Sequence, residues 1–154
     1  MATHRAFEVA IDLAARQRDT ARNAVVRLRG QCHHARMQLD QLTGYAAETR
    51  QRWGAREGAT LLPEVLRHQR QFLQRLEQTT DMQRGVVREL GQRIDRAVAL
   101  LAAAEARLAS LRHVLERRLR EDALRQQRRE QKETDELAMQ RHARGSGRQL
   151  TQGI

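Results

Sequence analysis

Aromatic side chains are nearly missing from this sequence: two Phe, one Tyr and one Trp, together 3% of the residues. So little aromatic bulk excludes a wide three-dimensional core, and apolar burial has to be arranged along something narrower. Proline occurs once, at Pro63, so long helices are almost uninterrupted. The single cysteine, Cys32, cannot form an internal disulfide, which fits a reducing compartment. No stretch approaches the roughly 20 apolar residues of a membrane span. The first residues, MATHRAFEVAIDLAARQRD, carry Glu8, Asp12 and Asp19 and no apolar run, which excludes a secretory signal. These absences lead us to expect a soluble, cytoplasmic chain.

What is abundant is Arg, Gln, Ala, Leu and Glu, the usage of long helices and coiled coils. The 154 residues allow one domain. Of the 29 basic residues only Lys132 is a lysine, and the formal net charge is +10. Such a balance suits nucleic acid, an anionic membrane or an acidic protein surface. Disordered chains are also charged and poor in aromatics, so periodicity has to decide.

Alternating steps of four and three from Phe7 visit Ile11, Ala14, Arg18, Ala21, Val25, Leu28, Cys32, Ala35, Leu39, Leu42, Ala46, Thr49 and Trp53. All but Arg18 and Thr49 are apolar, which is a coiled-coil seam of period 3.5 over more than six heptads. A second path from Leu62 visits Leu66, Gln69, Leu73, Leu76, Thr80, Gln83, Val87, Leu90, Ile94, Ala97, Leu101, Ala104, Leu108, Leu111 and Leu115. The same register then lands on Arg118, Asp122, Arg125 and Arg129, and the apolar seam stops. Strong helix formers and opposite charges at helical spacing, such as Glu121 with Arg125, continue to about Gln140. RGSGRQLTQGI, from Arg144, has three glycines and no pattern, and reads as a disordered tail.

Between the seams lies WGAREGATLLP, where Gly54, Gly58 and Pro63 fall within ten residues. Gly54 weakens the first helix, Gly58 permits a positive φ, Thr60 is a candidate cap, and Pro63 suits an opening turn. A chain reversal there lets two half-seams bury each other, whereas a kink in one helix leaves both exposed. The expected fold is all-α: one antiparallel two-stranded coiled-coil hairpin over residues 1–143. Helix one covers about 3–53, the turn about 54–61, and a longer helix two about 62–140, with 144–154 as the tail. A turn centred near Gly58 places residue i opposite roughly 116 − i. Trp53 then faces the Pro63 region, Leu28 the Val87–Leu90 level, and Phe7 about Leu108. Gly30 and Gly85 share a level and offer a close approach or a bend. Helix two projects alone beyond about Leu115.

Chemistry is not concentrated anywhere. The sequence contains no phosphate-binding G-x-x-x-x-G-K-[ST], no G-x-G-x-x-G and no H-E-x-x-H. Cys32-His33-His34 is the only metal-like cluster, and neighbours on a helix point about 100° apart and cannot share one ion. We therefore expect no enzyme activity, no metal, no cofactor and no small-molecule substrate. Arg112 to Arg148 holds eleven basic and seven acidic residues, a net of +4, and follows the seam instead of preceding it. A basic zipper has the reverse order and a denser, acid-poor basic region, so a basic coiled-coil binder of nucleic acid is the lesser alternative.

Several local strings resemble the FliJ family of the bacterial flagellar type III export apparatus. They are His4, Asp12-Leu13-Ala14, Gly30-x-Cys32, the Gln-Leu-x-x-Leu-x-x-Tyr pattern at Gln38, Leu39, Leu42 and Tyr45, QFLQRLE after the break, and QKETDELAMQRHA near the end. The resemblance extends to about Ala143. It implies a coiled-coil hairpin similar to the terminal helices of a rotary-ATPase γ subunit, acting as a central stalk without chemistry of its own. The implied partners are the flagellar export ATPase, the export gate protein FlhA and export chaperones, with peripheral association at the inner membrane by the flagellar basal body. The equivalent stalk of a virulence-type secretion system is a close variant, and the isolated chain is expected to be a monomer.

Carried over by resemblance, the gate-contacting patch maps to Gln38, Leu42, Tyr45, Phe72 and Leu76. Thr49 stands where the family often has an aromatic, and Thr79 and Gln83 replace a small residue and a histidine. The register rule independently sets 42–45 opposite 71–74, and Tyr45 and Phe72 lie off both seams, so they are expected to be partly exposed. By analogy with γ, the end bearing both termini enters the ATPase ring, with Arg5, Arg112, Arg117, Arg118, Arg120 and Arg125 as its contacts.

Overall fold

The computed structural model describes residues 2–55 and 62–151. Among these residues the chain forms two α-helices, α1 (Ala2–Gly54) and α2 (Pro63–Thr151), and no strand. The helices pack against each other as an antiparallel hairpin. Their packing divides into a central unit, Leu13–Arg107, and a terminal unit, Met1–Asp12 with Leu108–Ile154.

In the central unit every seam position from Ala14 to Trp53 on α1, and from Gln69 to Ala104 on α2, is buried or half-buried. The most buried apolar residues there are small: Ala14, Val25, Cys32, Ala35, Ala46 and Ala97, with Leu76 the one large exception. Small side chains at a helix contact let the backbones come close. Two buried hydroxyls are satisfied within their own helices: Thr49 Oγ1 donates to the Tyr45 carbonyl at 2.8 Å, and Thr80 Oγ1 to the Leu76 carbonyl at 2.8 Å. Gln83 works across the helices, its amide donating to the Ala35 carbonyl at 2.9 Å and to Gln38 Oε1 at 3.2 Å. A polar seam residue with a defined cross-helix partner favours one register over slipped ones.

Helix α1 ends where Ala55 N–H bonds the Gln51 carbonyl. Gly54 keeps a helical φ and does not supply a left-handed cap. The start of α2 has Pro63 and Glu64 in its opening turn, as expected. Leu62 is the boundary residue, its carbonyl accepting from Val65 N (3.0 Å) and Leu66 N (3.3 Å), with Pro63 in the first helical position. Glu64 adds a favourable charge in the positive first turn. The expected roles of Gly58 and Thr60 lie outside the described residues. The first two positions of the second seam are also not core. Leu62 and Leu66 are 69% and 38% exposed.

Gly30 and Gly85 give no close approach. Each faces open space, with nothing within 4 Å of where a Cβ would sit, and α1 and α2 run through them unbroken.

In the terminal unit Phe7, Ile11, Leu108, Leu111 and Leu115 are buried or half-buried, Leu108 most completely. Phe7 does not stop at Leu108, as the register rule had it. Its ring lies under the Arg118 guanidinium, 4.5 Å from the centroid, and His4 meets Asp122 at 3.1 Å. Helical side chains lean toward their own N-terminus. In an antiparallel pair, long side chains therefore meet residues further along the partner than the backbone level suggests. The pairing of α1 with α2 thus reaches Asp122, past the Leu115 limit read from the seam. From Glu116 to Gln149 every residue of α2 is exposed. The helix also continues through Gly145 and Gly147 to Thr151, where an irregular tail from Arg144 was expected. Each glycine costs a helix about 1 kcal/mol, but no proline blocks the segment, and Arg148 in the last turn suits the negative helix end.

Leu108→Ala should lower the unfolding free energy by about 2–4 kcal/mol, the range for a leucine lost from a packed site. Leu119→Ala, at an exposed position of the same unit, should change it by less than about 0.5 kcal/mol. Urea unfolding followed by circular dichroism distinguishes the two.

Candidate functional site

A two-helix pair buries only one stripe per helix, so residues just off the seam are held rigidly yet remain open to solvent. Tyr45 and Phe72 occupy such positions in the central unit, 52% and 40% exposed. Their rings meet edge to face, 6.2 Å between centroids at 79°. Trp53 approaches the other side of Phe72 at 5.8 Å and 63°. Three of the four aromatics in the chain thus form one cluster at the α1–α2 contact. Edge-to-face packing of this kind fixes ring orientation and adds stability beyond area burial.

The five positions expected as a patch separate by depth. Gln38, Tyr45 and Phe72 are exposed, Leu42 is half-buried, and Leu76 is buried. Leu76 therefore has little surface to offer a partner. Gln38 is held in place by the Gln83 amide. The residues that complete the surface were not singled out from the sequence: Trp53, Val65, His68 and Gln69 line a shallow groove with Tyr45 and Phe72. Trp53 had been counted as seam, and Val65 stands in the first turn of α2, off the seam. The clustering of three scarce aromatics between residues 45 and 72 was the available signal.

The six arginines expected at the other site all belong to the terminal unit and all are exposed. Arg118 is committed to the Phe7 ring. Arg117 lies 3.9 Å from Glu121, and Arg125 3.9 Å from Asp122. Such exposed pairs are worth little, so these cations exchange partners readily. Arg5, Arg112 and Arg120 have no ion pair among the described residues.

Comparison with known proteins places this geometry. The family model described as "Flagellar FliJ protein" matches residues 3–147. The chain belongs to the FliJ family. Among curated relatives, the flagellar FliJ protein of Salmonella typhi is 28% identical over 138 residues, covering 90% of this chain and 94% of the relative. No solved structure matches the chain. Members of the FliJ family are structural components of the flagellar export apparatus, and the helical hairpin here is in keeping with that.

Within this FliJ-family chain Cys32 is buried in the seam, while His33 and His34 are exposed. Among the described residues no group of three or more His, Cys, Asp or Glu side chains is placed to hold a metal ion. No described helix is long and apolar enough to cross a membrane.

The difference in depth has a direct consequence for substitutions. Leu76→Ala should destabilise the chain by about 2–3 kcal/mol, as for a buried leucine. Phe72→Ala should cost about 1 kcal/mol, mainly its ring contacts. Equilibrium unfolding midpoints of the two variants provide the comparison.

Proposed function

We propose that this FliJ-family protein is a stalk of the flagellar export apparatus that does no chemistry itself and holds two partners. One partner is the export gate protein FlhA, engaged by Gln38, Tyr45 and Phe72 with Leu42 at the margin. The other is the export ATPase ring, engaged by the arginines of the terminal unit. Assistance to export chaperones, and a place on the cytoplasmic side peripheral to the inner membrane, belong to the same reading. The observation that carries it is the exposed aromatic pair on an otherwise aromatic-poor helical surface. Aromatic side chains in water are stabilised by a partner that covers them, and Tyr and Trp are frequent anchors of protein interfaces.

The cationic surface supports the second contact. Arg5, Arg112 and Arg120 have no ion pair among the described residues and suit acidic side chains lining a pore. The family match favours the flagellar setting over the virulence-type variant. The many acids interleaved with the arginines disfavour the nucleic-acid alternative, since phosphate binding draws on uncompensated cations.

Tyr45→Ala combined with Phe72→Ala should weaken binding to the gate protein by about tenfold or more, the loss expected of central aromatic anchors. Stimulation or assembly of the export ATPase should be unchanged in that variant. Arg112→Glu combined with Arg120→Glu should do the opposite, with helicity unaltered in both. Titration calorimetry with the gate protein and turnover assays of the ATPase provide the readouts. Unchanged gate affinity in the aromatic variant would remove the basis for this assignment.

A further inference from the structure

The surface around Trp53 is more than an extension of the aromatic pair. Trp53 forms a wall shared by two grooves in the central unit. The first holds Tyr45, Val65, His68 and Phe72, and is mostly carbon. The second holds Arg50, Leu66, Arg70 and Leu73. Both also touch Gln69, so they run side by side with the indole between them.

The electrostatics of the two grooves is one-sided. Among the described residues, neither is lined by an Asp or a Glu. Elsewhere in the same unit exposed arginines sit beside acids, as Arg84 does with Asp81 and Arg93 with Glu89. Arg50 and Arg70 have no ion pair among the described residues, and both are exposed. An apolar slot beside a groove that holds two guanidinium groups, neither ion-paired among the described residues, complements a ligand with an apolar group and carboxylates next to it. Arginine binds carboxylates through paired N–H donors, and it does so best beside apolar surface, where water competes less.

We infer that the Trp53 grooves dock a peptide segment of another protein, in which a large apolar side chain has Asp or Glu close to it in the sequence. The apolar side chain occupies the slot between Trp53, Phe72 and Val65, and the carboxylates meet Arg50 and Arg70. A second copy of this chain is a poor occupant, because its net charge of +10 meets the same cations with repulsion. A nucleic-acid strand would need more than two cations along its phosphates, and the first groove offers it only carbon. The inference rests on this face being a contact surface. It deepens that reading by naming the chemistry recognised and by moving its centre from Tyr45 to Trp53.

A random peptide display library, selected on the full-length chain and counter-selected on an Arg50→Glu, Arg70→Glu variant, tests this. Both substitutions are at exposed positions, so the helicity of the variant should match that of the parent. The selected peptides should combine a large apolar residue with Asp or Glu within one or two helical turns of it. A synthetic, tryptophan-free peptide from that set should shift the emission of Trp53, which is the only tryptophan in the chain. The charge-reversed variant should bind it about tenfold more weakly or worse, as expected when charge-assisted contacts turn repulsive. Selected peptides without acid enrichment, an unmoved Trp53 emission, or equal affinity for the variant would each overturn the inference. Parallel measurement of the gate protein separates this from the functional reading. If the peptides require Arg50, Arg70 and Trp53 while gate binding ignores Phe72→Ala, the gate assignment fails and the groove stands.

Discussion

Everything in this molecule depends on mutual burial of two narrow apolar stripes, because neither helix has another way to remove its apolar face from water. Helices of this length owe most of their stability to packing of an amphipathic face and little to propensity. The stripe is built largely of alanine, cysteine, valine and leucine, so each contact buries only a modest area. Stability is therefore spread along the seam, and no single residue dominates it.

Such a thin core tolerates polar residues only when their groups are satisfied locally. Thr49 and Thr80 turn their hydroxyls back onto carbonyls four residues earlier, and Arg18 keeps its head at the edge beside Asp19. Gln83 alone spends its amide across the interface, on Ala35 and Gln38. The same thinness sets how partners are met. With no room for a closed cavity, recognition has to use what lies just outside the seam. In the central unit an aromatic cluster lies there, and in the terminal unit a set of exposed arginines with weak or no ion pairing among the described residues.

The seam was legible because its signal repeats. Period 3.5 was carried by most positions from Phe7 to Trp53 and from Leu62 to Leu115, and tertiary packing had no reason to override it. Legibility failed where repetition ended. Leu62 and Leu66 fit the pattern but stand at the start of α2 and stay exposed. Leu76 matched a family contact position, yet its place on the seam gives its side chain to the core. The reach of α1 along α2 was underestimated because the seam records apolar contacts only, while His4–Asp122 and Phe7–Arg118 are made by a polar pair and a cation over a ring.

The sequence by itself determined the helical class, the single reversal at WGAREGATLLP, the two faces that bury each other and the family. Each of these follows from local propensity and periodic pattern, which are properties of neighbours in the chain. Only the tertiary structure decided that Tyr45, Phe72 and Trp53 share one edge-to-face cluster, that Leu76 is buried, and that Arg50 and Arg70 line a neighbouring groove with no ion pair among the described residues. Those are contacts between the two helices, or the absence of such contacts. Their geometry depends on how far each side chain leans along its own helix, which spacing in sequence does not record.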